Sequence, residues 1–153
     1  MVLTMFAGPP GSGKSTQVRQ IMKSASYVYL STDEFIERYA RFTGKTYNEV
    51  FHKAIKRATK RLKKLKDYAI QNNLDAIWDQ TNLTEQIRTS RREEFKNYVT
   101  VLIYSNISLA ETLRRNDNRE RSLDKNIVVK MFKAYELPSE EELSKWDFFR
   151  ELN

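Results

Sequence analysis

Met5–Ile21 reads "MFAGPPGSGKSTQVRQI", and within it Gly8, Gly13, Lys14 and Ser15 occupy the fixed places of G-x-x-x-x-G-K-[ST]. An apolar run precedes the loop and the helically spaced "STQVRQIM" follows it, which is the context a phosphate-binding loop needs. Glycines let the backbone bend until successive N–H groups point inward around an anion, and the helix N-terminus adds its positive dipole end. The expected nucleotide-binding residues are therefore Gly8, Gly11, Ser12, Gly13, Lys14, Ser15 and Thr16. Lys14 is expected to reach the β and γ phosphates of ATP, and Ser15 to place its hydroxyl on Mg²⁺. Motors, switches and kinases share this loop, so the reaction must be read from residues elsewhere.

Outward from the loop, four apolar runs read as strands: Val2 to Ala7, Tyr27 to Leu30, Ala76 to Asp79 and Val99 to Tyr104. Helical periodicity lies between and after them, at about 13–24, 33–41, 47–72, 85–97, 109–116 and 124–135. This alternation predicts an α/β fold, a parallel sheet of four to five strands flanked by helices. "WDFFREL" near the end is the candidate fifth strand. Only 4 Gly and 3 Pro occur and no linker or repeat interrupts the 153 residues, so a single domain is expected.

The absence of cysteine excludes disulfides and thiolate metal sites and suits a reducing, cytoplasmic setting. No apolar stretch approaches the roughly 18 residues of a membrane span, and no secretion signal is read at the N-terminus. Net charge is +7 and the pI about 9.6, which makes nucleic acid the leading partner class by counterion release. Lys53–Lys66, "KAIKRATKRLKKLK", carries eight cations and no acid. Either an anionic partner or solvent accounts for such a face.

Three further clusters surround the loop. "YVYL" runs into "STDEF", which puts Asp33 at a strand end beside the crevice, where a carboxylate can take the proton of an attacking hydroxyl. Ser31 with Glu34 also matches a capping box, and both roles can hold together. "IWDQTNL" ends the third strand: Asp79 is a candidate for the Mg²⁺ shell or an acceptor group, and Thr81 and Asn82 for hydrogen bonds to a sugar or phosphate. A local turn explains the same residues. Trp78 is expected in the core. In "RRNDNRERS", Arg114, Arg115, Arg119 and Arg121 are candidates for a mobile lid, about 115–123, that brings cations to a transferring phosphoryl group. A solvated loop of self-paired charges is the other reading.

"GPPGSGKST", "STDEF", "DQTNL" and "RRNDNR" followed by "IVVKMFKAYELP" together resemble the 5′-kinase domain of bacteriophage polynucleotide kinases. That family belongs to a P-loop kinase branch that includes zeta-toxin-like kinases, and the resemblance runs from Leu3 to about Pro138. It implies a P-loop kinase fold, ATP and Mg²⁺, Asp33 as general base, Thr81 in the acceptor motif and Arg119 as the lid arginine, with Arg115 and Arg121 beside it and Arg121 on the nucleotide. The family typically carries an arginine three residues after the base. Here that position is Ile36, and Arg38, the nearest cation, is the candidate to touch the acceptor. No D-x-D-G-T signature occurs, so no companion 3′-phosphatase domain is expected.

These readings lead to transfer of the γ-phosphoryl of ATP to the 5′-hydroxyl of DNA or RNA, in end repair. One alternative is a kinase for a small molecule such as a sugar nucleotide, favoured by Ile36 and opposed by the basic helix. The other is a nucleotide-dependent nucleic-acid-binding module.

Overall fold

The computed structural model of the chain describes residues 1–152. β1 (Val2–Ala7) leads through the loop into α1 (Lys14–Met22), and β2 (Val28–Leu30) is followed by α2 (Thr32–Thr43) and the long α3 (Tyr47–Gln71). β3 (Ala76–Asp79), α4 (Glu85–Glu93), β4 (Val99–Ser105), α5 (Leu109–Asp117), α6 (Lys125–Ala134), α7 (Glu140–Leu143) and β5 (Phe148–Leu152) complete the order. All strand pairs are parallel, in the order β2-β3-β1-β4-β5. The expected α/β sheet thus has five strands, with "WDFFREL" supplying the last.

β1 is central and buried on both faces, which is why its sequence reads as an unbroken apolar run. Leu3, Met5 and Ala7 join Leu62, Ala69, Trp78 and Phe95 on one side, and Phe6 meets Val18, Ile77 and Ile103 on the other. Trp78 is a core residue, as expected. A third apolar cluster, with Ile36, Ala40, Val50, Ala54 and Ala58, glues α2 to α3. Position 36 is fully buried there, so it presents nothing to a ligand.

Most boundaries shift by one or two residues, and two of the differences bear on the site or the core. α4 stops at Glu93 rather than continuing to about 97, because Phe95 and Tyr98 are pulled into the core and stack edge to face. The expected lid at about 115–123 starts later, because α5 runs through Asp117 and keeps Arg115, with Arg114, in its last turn. Both pair with Glu111; the hydrogen bonds from Arg114 and then Arg115 hold its carboxyl down to about 2.

Candidate active site

The carboxyl ends of β1, β2 and β3 open into one cleft of about 640 Å³. In sheets of this type ligands bind outside those ends. Gly11, Gly13, Lys14, Ser15 and Thr16 line its floor, and Asp33, Asp79 and Thr81 line the opposite wall. Arg115, Arg119 and Arg121 close over it.

Gly11 and Gly13 both adopt positive φ, at 80° and 90°. A side chain at Gly11 would meet the Thr112 carbonyl at 3.3 Å, so the loop lies directly on α5. Every other helix here starts with a side-chain cap; α1 alone, begun by Gly13, has none. Its first N–H groups remain open for an anion. Lys14 is buried, and its ammonium donates to the Gly8 carbonyl (2.8 Å), the Pro9 carbonyl (2.9 Å) and Ser12 Oγ (3.0 Å). Burial lowers its pKa to about 8, against the pull of Asp79. Glycine-shaped bends, uncapped amides and a desolvated ammonium fit the phosphates of a nucleotide. No trio of His, Cys, Asp or Glu able to cage a metal occurs among the described residues. A divalent ion would therefore draw on Ser15, which is exposed, on Asp79 and on the nucleotide itself.

Two loop residues depart from the nucleotide-binding expectation. Gly8 does not line the cleft. Its N–H donates to the Thr81 carbonyl at 2.8 Å, and a β-carbon there would sit 2.8 Å from Ser105 Cβ. Ser12 is buried and turns its hydroxyl inward to accept from Lys14.

On the acceptor wall, Ser31 caps α2 by accepting from the Glu34 N–H, while the Glu34 carboxylate binds Arg38 instead of completing a capping box. Arg38, expected to touch the acceptor, is largely exposed and lies outside the cleft, paired on the same helix. Asp33 faces the cleft. Its Oδ1 accepts from the Tyr47 hydroxyl at 2.5 Å, and its Oδ2 lies 3.5 Å from Arg121. Asp79 accepts from the Tyr29 hydroxyl at 2.6 Å, and burial pushes its carboxyl above the usual carboxylate range. Thr81 lines the cleft as expected. Asn82 does not: it is buried at positive φ, donates to the Phe6 carbonyl (2.6 Å) and accepts from Arg91. Its polar atoms hold the loop in place and leave none for a substrate.

The expected lid is a short loop pinned at its base. Buried Asn116 donates to the Leu123 carbonyl (2.8 Å) and accepts from the Leu123 N–H (2.9 Å). Residues 117–122 therefore form the arch that carries both arginines. Arg119 is half-buried, forms no ion pair among the described residues, and stands close enough to Lys14 to depress that ammonium further. Arg121, expected on the nucleotide, turns to the acceptor wall instead. Its guanidinium lies 3.9 Å over the Tyr47 ring and 2.9 Å from Glu37. Tyr47 thus joins Asp33, the 117–122 loop and the start of α3, and desolvation first, then Asp33, raises its pKa strongly.

Sequence reading also missed the brace behind Asn82. Arg88 and Glu142, both buried, form two 2.6 Å hydrogen bonds, and Arg88 also donates to the carbonyls of Asn82 and Leu83. It locks the β3–α4 loop to α7.

Residues 3–138 match the family described as AAA domain. The chain belongs to the AAA domain family. Among relatives of this AAA domain protein, a shikimate kinase of Rhodococcus erythropolis is 34% identical over 121 residues, covering 78% of this chain and 68% of its own length. A cytidylate kinase of Desulfurococcus amylolyticus is 38% identical over 50 residues, or 33% of this chain; those residues span only 27% of that relative. A chain from the PezAT chromosomal toxin-antitoxin system of Streptococcus pneumoniae superposes with a TM-score of 0.63 at 16% identity, covering 98% of this chain and 66% of that one. The AAA domain protein thus has the fold of the P-loop kinases. No helix among its described residues is long and apolar enough to cross a membrane.

Proposed function

We propose that this protein transfers the γ-phosphoryl group of ATP, with Mg²⁺, to a hydroxyl of a small molecule. One observation carries the reading: the phosphate cradle and Asp33 face each other across a single cleft, with two lid arginines arching over it. Transfer of this kind relies on alignment and on cations set around the transferring group. Lys14 and the uncapped amides of α1 would hold the phosphates, Ser15 and Asp79 the ion, and Arg119 the equatorial charge. Asp33 would accept the hydroxyl proton as the oxygen attacks in line.

Acceptor-wall electrostatics support a small substrate without negative charge of its own. Asp33, Glu34, Glu37 and Asp79 all line that side, and its cations are already committed, Arg38 to Glu34 and Arg121 to Asp33 and Glu37. A polynucleotide 5′ end brings a phosphodiester next to its hydroxyl, and Ile36 offers that group no cation. The relatives named shikimate kinase and cytidylate kinase support the small-molecule reading over the polynucleotide one; both names denote anionic substrates, so the charge preference rests on this chain's own cleft.

The test is γ-labelled ATP with Mg²⁺ and a panel of neutral, cationic and anionic hydroxyl compounds, alongside a 5′-hydroxyl oligonucleotide. Label on a small neutral or cationic compound is expected, falling about 10²–10⁴-fold in Asp33→Asn. Label on the oligonucleotide alone would overturn the acceptor class, and no transfer to any compound would overturn the kinase reading.

A further inference from the structure

Lys53, Lys56, Arg57, Lys60, Arg61, Lys63 and Lys64 are all exposed on α3, and none forms an ion pair among the described residues. The eighth cation of that run, Lys66, is bound to Glu94 and Asp67. The rest of the chain is balanced. Taking these seven from the 27 Lys and Arg leaves 20, equal to the 20 Asp and Glu. The protein's net charge of +7 is therefore the charge of one helix face.

At 100° per residue the seven positions fall within an arc of about 160°, and over 11 steps they span about 16 Å of helix. Ala54, Ala58, Leu62 and Ala69 on the opposite side are buried against the fold and set this orientation. Like charges at i, i+3 and i+4 destabilise a helix by a few tenths of a kcal/mol per pair. Between Lys53 and Lys64 α3 bears that cost with no interleaved acid; Glu49 and Asp67 stand one turn outside the run, the first bound to Thr46 and the second beside Lys66. Beside the stripe a groove of about 430 Å³ runs between α3 and α4, with Lys63, Lys66 and Arg91 on its walls.

We infer that this face docks the phosphate backbone of a nucleic-acid duplex, independently of the transfer cleft. A helix that lies on a membrane inserts an apolar face beside its cations, whereas the apolar stripe of α3 is consumed by the core. Stable protein interfaces centre on apolar or aromatic anchors, and the ring exposed on this face, Tyr68, lies beyond the last of the seven cations. A dense row of unpaired Lys and Arg with little else is what backbone binding by counterion release requires. The face shares no residue with the cleft, so docking there is separable from phosphoryl transfer.

The experiment is fluorescence anisotropy with a labelled 24-base-pair duplex, titrated from 50 to 200 mM salt, next to vesicles rich in phosphatidylserine and to poly-glutamate. If five to seven phosphates are neutralised, log K falls against log salt with a slope of about −5, close to a thousandfold loss over that range. Replacing Lys56, Lys60, Lys63 and Lys64 by Gln keeps helix propensity and relieves like-charge pairs, and is expected to reduce the slope by about 3 to 4 with no fall in melting temperature. Asp33→Asn is expected to bind the duplex as the wild type does, which separates this surface from the kinase reading. Absence of duplex binding at 50 mM salt, an unchanged slope in the four-Gln variant, or preference for vesicles or poly-glutamate would each overturn the assignment.

Discussion

Raising the pH from 7.5 to 9 is expected to weaken nucleotide binding through one side chain, Lys14. Its ammonium is buried among two carbonyls and a hydroxyl of its own loop, and burial brings its pKa down to about 8. A bound triphosphate would restore the charged form, since an opposite charge at contact favours ionisation. Free protein with a pKa of about 8 carries a charged Lys14 in about three quarters of molecules at pH 7.5 and about a tenth at pH 9. Affinity should therefore fall about eightfold between those values, and binding at pH 9 should take up about 0.9 proton. Phosphate monoesters finish titrating near pH 6, so the ligand contributes little in this window.

Isothermal titration of ATP in two buffers of different ionisation enthalpy reads the proton directly. A heat independent of buffer at pH 9, or an affinity flat from pH 7.5 to 9, would refute the reasoning, and Lys14→Met should abolish the uptake. The same shift has a stability consequence of fixed sign. The unfolded chain binds the extra proton between about pH 8 and 10.5, so in that window the nucleotide-free fold gains stability as pH rises. Full titration of Lys14 is worth at most about 3 kcal/mol.

Tyr47→Phe removes the 2.5 Å hydrogen bond to Asp33 but keeps the ring under Arg121, so kcat should fall about tenfold with the KM for ATP unchanged. A rise in the KM for ATP instead would place Tyr47 in nucleotide binding. Arg119→Ala should lower kcat by about 10³-fold while equilibrium ATP binding changes far less, as for other arginines that act on the transferring group. Glu142→Leu leaves the Arg88 guanidinium buried without its partner and should cost about 3–5 kcal/mol in denaturant unfolding. A loss below 1 kcal/mol would mean that α7 moves away and admits water.

β1 and β3 were legible to the residue because strands buried on both faces read as apolar runs between turn residues. β5 was faint because it is an edge strand with four of its five residues exposed, which leaves no alternation to detect. Lys14, Asp33 and Thr81 came from motifs at strand ends and Arg119 from the loop between two helices, and all four meet in one cleft. Asn82 and Arg38 misled for a shared reason: a polar side chain beside a binding loop reads alike whether it faces a ligand, the core or solvent. Tyr47 lies 14 residues after Asp33, and Glu142 lies 54 after Arg88, so neither pair leaves a local pattern. The short turn between α2 and α3, which brings Tyr47 back over Asp33, was the signal available for the first of them.

The bond from the Gly8 N–H to the Thr81 carbonyl ties the loop that would carry the donor to the loop that would meet the acceptor. It is made of backbone alone, just past the ends of the central strands β1 and β3, so exchanging the Thr81 side chain does not remove it, whereas any side chain at Gly8 would strike Ser105. The gap between phosphorus and hydroxyl is then fixed mainly when the chain folds, like the jaw width of a vice cut from one block. Exchanging cleft side chains could retune which molecule is accepted without disturbing that gap, and the arch at 117–122 is left as the part that must move.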